Sequence, residues 1–177
     1  VLCIGEKTDN SAFKIGIQKP FADRSETIAV MDIKDKSVVS SGIYERCFEQ
    51  DGILYHHLLN PKTGYPYDNG LIAVTIISDK SVDGDALSTT CFALGLEDGM
   101  KLAESLDDVQ AFFVTSDYEI HYTKDFRKKN QGYGNRIGKP QSSHLWGFFN
   151  NISQIQSETH STSNFSRLSS LVLYSES

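Results

Sequence analysis

Leu71-Ile72-Ala73-Val74-Thr75-Ile76-Ile77 is the stretch that most narrows the folds open to this chain. A run so continuously apolar has no face to leave in water, so it reads as a central strand covered on both sides. The cover follows at once. From Ser81 to Leu94 the period switches, with Ala86, Leu87, Thr90, Ala93 and Leu94 at helical spacing and Gly95 closing the run. Glu97 to Leu106 reads as a second short helix, and 109–115 with 119–123 as a closing hairpin.

Upstream, residues 13–17 and 28–33 alternate apolar and polar as half-buried strands do. Val38-Val39 leads into Ser40-Ser41-Gly42, and 44–49 alternates again. Asp51-Gly52 is a strong two-residue hairpin signal, because Gly tolerates the positive φ that such a turn demands. This part reads as an antiparallel meander. With the helices it gives an α+β domain, an antiparallel or mixed sheet with packed helices. Near Lys129 the composition changes to a Ser-rich stretch without Asp or a sustained apolar period. The expected division is a domain over 1–128 and a tail of low order, or foreign to the domain, over 129–177. Gly132, Gly134 and Gly138 lack both the spacing and the preceding strand of a nucleotide loop.

A net charge of -6 argues against a nucleic-acid or anionic-membrane partner. No apolar run is long enough to span a bilayer. Cys3, Cys47 and Cys91 are odd in number and widely spaced, which disfavours a disulfide framework or a zinc site. The chain opens in apolar Val1-Leu2-Cys3-Ile4, like the inside of a longer protein.

Asp85 and Thr89 are spaced i, i+4, so both side chains project from one face at what reads as the opening turn of the helix. A carboxylate and a hydroxyl are hard oxygen ligands suited to Mg²⁺, which completes its shell with waters and substrate phosphates. The blander role is commoner: an Asp near a helix start as a cap, a Thr back-bonded to its own helix. His56 and His57 end a strand and so face opposite ways. His57, next to the loop Asn60-Pro61-Lys62-Thr63-Gly64-Tyr65-Pro66, is the better candidate for proton transfer or for gripping a ligand. A structural hydrogen-bonding role is open to it as well. Ser41-Gly42 either lets a ligand approach the backbone or is only a bend.

Together, Val38-Val39-Ser40-Ser41-Gly42-Ile43-Tyr44-Glu45-Arg46-Cys47-Phe48, Tyr55 to Pro66, Asn69-Gly70-Leu71 and Asp85-Ala86-Leu87-Ser88-Thr89 closely resemble the ApbE family of FAD:protein FMN transferases. The resemblance implies that FAD is the substrate and that its pyrophosphate is cleaved with Mg²⁺. FMN is then joined through a phosphoester to a Thr or Ser of an acceptor flavoprotein, and AMP leaves. By motif, His57 matches the histidine at FAD and the expected base, Asp85 and Thr89 match metal ligands, and Ser41 and Gly42 lie in a segment like the flavin-site wall. Alternatives within the same likeness are a flavin-binding module without catalysis and an FAD pyrophosphatase. Family members occur in the bacterial cell envelope or the cytoplasm, and the sequence does not choose. Two departures stand out: Asn60 replaces a usual Asp, which keeps a turn role but loses the charge, and Gly84 replaces a common Ala without expected harm. The family's N-terminal half, with further flavin contacts and another metal ligand, is expected to precede Val1.

Overall fold

In the computed structural model, residues 1–124 and Phe126 are described; the expected tail over 129–177 lies outside them. The described elements are β1 (Phe13–Gln18), β2 (Thr27–Ile33), β3 (Ser37–Gly42), β4 (Cys47–Gln50), β5 (Ile53–His56), β6 (Leu71–Ser78), α1 (Ser81–Glu104), β7 (Gln110–Thr115) and β8 (Ile120–Tyr122). The apolar run is β6, and every one of its residues is buried. It occupies the interior of a four-stranded antiparallel sheet of order β3-β6-β7-β8.

α1 lies on one face of that sheet, against β3, β6 and β7. Alternation along β3 sends Ser37, Val39 and Ser41 toward the helix: Ser37 Oγ lies 2.9 Å from Ser81 Oγ, and Ser41 Oγ 2.9 Å from Ser88 Oγ. Ser40 turns the other way and pairs with Thr75 at 2.8 Å. The core between the layers holds Val74, Ile76, Phe92, Cys91, Ala111 and Phe113, all fully buried. Burial pushes the Cys91 thiol up to about 11, so it is an inert packing group, as its apolar helical setting suggests. The three cysteines are free. Gly84 sits where the helix comes close to β3 and β6: a Cβ there would lie 2.9 Å from Val39 Cγ2 and 3.1 Å from Ser78 Oγ. An alanine here would press on the Val39 side chain, so the replacement is not the neutral one expected.

Gly95 interrupts α1 at φ 80°, ψ −178°, a backbone shape essentially restricted to glycine. The two helical stretches expected from the sequence are the two sides of this break. Asn69 seals it, its Nδ2 donating to the carbonyl of Phe92 at 2.5 Å while its Oδ1 accepts from the Leu71 amide at 3.2 Å. A carbonyl that an interrupted helical ladder would leave short of a donor is thereby satisfied.

The expected meander is not what forms. β1–β2 and β4–β5 are separate two-stranded hairpins, and β3 skips both neighbours to pair with β6. A strand apolar on both faces needs a neighbour on each edge, and β3 supplies the matching apolar pair Val38 and Val39. Tyr44 to Arg46, expected within a strand, instead make the turn between β3 and β4, so the strand starts only at Cys47. The Asp51-Gly52 hairpin is as expected, with φ of 53° and 72° at the two turn residues.

Candidate functional site

Asp85 and Thr89 are exposed on one side of α1, a turn apart. The helix begins at Ser81 with Lys80 as N-cap and no side-chain cap, so Asp85 stands in the second turn and not at the opening. The first-turn acid is Asp83. This correction removes the capping role for Asp85: its own amide lies inside the ladder, and no ion pair among the described residues engages its carboxylate. Nor does Thr89 back-bond to the helix. Thr90 does so, to Ala86 O at 2.8 Å, whereas Thr89 Oγ1 lies 3.2 Å from Ser41 Oγ.

Gly42, beside Ser41, is buried under its own chain. A Cβ there would lie 2.6 Å from Tyr44 Cε1. The room it leaves is filled by the Tyr44 ring, which meets Phe21 edge-on at 5.8 Å. Burial pushes the Tyr44 hydroxyl up to about 12.

The two histidines divide as alternation requires. His56 is buried, its Nε2 donating to Tyr67 O at 3.1 Å and its Nδ1 accepting from the Leu58 amide at 3.3 Å. Its ring meets Phe92 edge-on at 6.2 Å. His57 lies one residue past β5 and is exposed. Its Nδ1 is 3.3 Å from Arg46 O, and its amide donates to the same oxygen at 3.2 Å. A carbonyl can only accept, so in the neutral ring Nδ1 carries the proton and Nε2 is the acceptor.

His57 lines a cleft of about 620 Å³ between the β4–β5 hairpin and the Asn60–Pro66 loop. Arg46, Phe48, Tyr55, Leu59, Tyr65 and Pro66 share its wall. Phe48 and Tyr55 stack at 5.2 Å and 11°, and Phe48 and Tyr65 remain 60% and 66% exposed. Such a wall offers flat apolar faces beside one guanidinium, a combination suited to an aromatic ring carrying an anion. The loop is shaped by Asn60, whose Oδ1 accepts from the Lys62 amide at 2.9 Å, and by Gly64 at φ 74°. Asn60 thus keeps the turn role foreseen for it. Sequence reading missed Arg46, Phe48, Tyr55 and Tyr65 as wall residues. Only the stacked pair had a signal, because Asp51-Gly52 fixes the hairpin register that sets Phe48 opposite Tyr55.

The expected site residues therefore fall into two groups. Ser41 and Thr89 touch, with Asp85 one turn along, while His57 stands in the cleft, whose wall includes neither Asp85 nor Thr89. β3 and the turn after it link the groups: Ser41 and Arg46 are five positions apart, so their Cα atoms lie within about 18 Å. Among the described residues no three His, Cys, Asp or Glu side chains converge on a metal position. Asp85 and Thr89 are two oxygen donors of the kind that could share a hard cation with water and phosphate oxygens. Among the described residues no helix is long and apolar enough to cross a membrane.

His56 makes the fold pH-sensitive. Burial holds its pKa below the ordinary 6.5, and His57 adds to that, while the bond to Tyr67 and nearby Asp68 pull less strongly upward. Above 6.5 the contribution is fully present; as pH falls below it, the unfolded chain takes the proton first and stability drains until the folded pKa is passed. The melting temperature is expected to fall between about pH 7 and about pH 5, with His56→Gln flattening that slope. An unchanged slope in the variant would contradict this.

A model of the ApbE family matches residues 1–113. A Klebsiella pneumoniae FAD:protein FMN transferase is 49% identical over 106 residues, covering 60% of this chain and 34% of the relative. A Treponema pallidum protein of the same name is 39% identical over 108 residues, covering 61% and 30%. The chain thus spans about a third of the length of the curated relatives it matches. Among solved structures, the ApbE protein of Thermotoga maritima superposes with a TM-score of 0.63 at 32% identity, over 72% of this chain and 41% of that one. The flavin transferase ApbE of Vibrio cholerae gives 0.59 at 26% identity, over 71% and 40%.

Proposed function

The chain belongs to the ApbE family, and from that premise we propose that the protein transfers FMN from FAD to a Ser or Thr hydroxyl of an acceptor protein. The acceptor oxygen attacks the FMN-side phosphorus of the pyrophosphate, forming the new phosphoester. The bond from that phosphorus to the bridging oxygen breaks, and the bridging oxygen departs with AMP. His57 Nε2 takes the hydroxyl proton. What carries this reading is the acceptor Nε2 of His57, fixed by the Arg46 carbonyl at the edge of a cleft large enough for a flavin or adenine ring.

The flat faces of Phe48, Tyr55 and Tyr65 receive such a ring, and Arg46 meets the negative charge. Asp85 and Thr89 are the groups that would hold Mg²⁺, which when bound supplies positive charge beside the pyrophosphate and the departing AMP. Ser41 and Gly42, expected at the flavin wall, act on this reading through Thr89 and Tyr44 instead. The transferase fold is assigned residues 1–128, and Phe126, which packs on Phe112 at 5.7 Å, belongs to it.

The test uses the full-length protein with FAD, Mg²⁺ and an acceptor bearing a reactive Thr. Release of AMP, together with a gain of one FMN in the mass of the acceptor, is expected. His57→Ala is expected to slow transfer by at least about a hundredfold. AMP accompanied by free FMN would mean hydrolysis, and FAD binding without AMP would mean a binding module. Either result overturns the transfer reading.

A further inference from the structure

We propose that Ser41 is a positioning residue for Thr89, fixing its hydroxyl so that the oxygen lone pairs face outward toward a cation. The inference rests on the reading that Asp85 and Thr89 hold a divalent metal. Three contacts carry it: Ser88 Oγ donates to the carbonyl oxygen of Asp85 at 3.1 Å, Ser41 Oγ lies 2.9 Å from Ser88 Oγ, and Thr89 Oγ1 lies 3.2 Å from Ser41 Oγ.

Each hydroxyl owns a single proton. A carbonyl cannot donate, so Ser88 spends its proton on Asp85 O. Ser88 Oγ must then accept, and the proton between it and Ser41 belongs to Ser41. Ser41 Oγ has none left and must accept from Thr89. One assignment satisfies all three contacts, and it runs in one direction: Thr89 to Ser41 to Ser88 to the Asp85 carbonyl.

The consequence falls on Thr89. Its proton is drawn inward toward β3, so its lone pairs point away from the strand, on the exposed side that also bears Asp85. A neutral hydroxyl is a weak metal ligand, and one free to turn its proton toward a cation is a poor one. Hydrogen bonds from the shell behind a ligand hold it in the useful orientation. The strand also meets the relay from the correct side, because alternation along β3 turns Ser41 to the helix and Ser40 away from it.

The experiment titrates Mn²⁺ alone into the full-length protein and follows the electron paramagnetic resonance signal of the free ion, with a melting curve for each variant. Ser41→Ala is expected to raise the Mn²⁺ Kd by about tenfold or more. Ser41→Cys, which keeps the volume but offers a weakly accepting sulfur, is expected to weaken binding while remaining folded. Ser40→Ala removes a comparable hydroxyl bond on the same strand and is expected to leave the Kd unchanged, which separates positioning from general support. Asp85→Ala is expected to abolish binding. If Asp85→Ala abolishes it while both Ser41 variants stay within about twofold of the parent, the metal reading stands and the role given to Ser41 is wrong. If Ser40→Ala weakens binding as much as Ser41→Ala, the role is likewise wrong. Unchanged binding in Asp85→Ala overturns the metal reading and this inference with it.

Discussion

Asp85→Ala is expected to cut FMN transfer by the full-length protein about a thousandfold, with almost no change in melting temperature. The two halves of that statement come from one fact. The carboxylate is exposed, lies inside the second turn of α1, and enters no ion pair among the described residues. Nothing in the fold depends on it, so its removal costs within about 0.5 kcal/mol of stability. A carboxylate that holds a cation against a pyrophosphate stands differently in the reaction. Charge stabilisation of that kind amounts to several kcal/mol in the transition state, and about 4 kcal/mol corresponds to the stated factor. Asp85→Asn keeps an oxygen without the charge and is expected to fall between parent and alanine variant. Initial rates of AMP release across a Mg²⁺ titration provide the check. A deficit smaller than about tenfold would contradict the metal role.

Phe92→Ala is expected to have the largest effect on stability, about 3–5 kcal/mol. The ring is fully buried, its edge meets His56, and its carbonyl takes the Asn69 side chain at the Gly95 break. Removing it opens a cavity at the point where the β5 end, the bend leading into β6 and the helix are tied together. Since a domain of this size is stable by only about 5–15 kcal/mol, the variant is expected to populate unfolded chain at moderate temperature. Urea unfolding followed by circular dichroism measures it. A loss below about 1.5 kcal/mol would show that the site collapses around the gap and that Phe92 is no keystone.

Those two residues illustrate what the sequence made legible. Phe92 lies in the run read as a helix after the apolar strand, and Gly95 marks the break, so strand, helix and interruption had local signals. The buried face did not, because the helical spacing was read on Ala86, Leu87, Thr90, Ala93 and Leu94, none of which is buried, while Gly84, Ser88, Cys91 and Phe92 pack inward. The Asp51-Gly52 turn and the opposite facing of His56 and His57 were legible, since each follows from backbone geometry over a few residues. The pairing of β3 with β6 was not, because the partner is chosen by burial across a long loop and not by any adjacent turn. The start of α1 at Ser81 was legible in the change of period, but Asp85 was set in its opening turn because Lys80 caps the helix without a side-chain bond and gives the N-cap no mark in the sequence. The contacts of Ser41 with Ser88 and Thr89 span the strand–helix interface and have no periodic trace. Nor has the cleft wall, where Arg46 and Tyr65 come from separate turns. The resemblance to the ApbE family supplied His57, Asp85 and Thr89 as a set. The fold puts the last two on one helix side and the first in a cleft joined to them through β3 and the turn after it.

A crystal of the full-length protein grown with FAD and Mn²⁺, measured at the manganese edge, tests whether these two groups serve one substrate. The account predicts an anomalous peak in coordination distance of both Asp85 and Thr89, with the FAD pyrophosphate as a further ligand and one of its ring systems in the cleft beside His57. A peak away from both residues, or a dinucleotide bound elsewhere with the cleft empty, would contradict it.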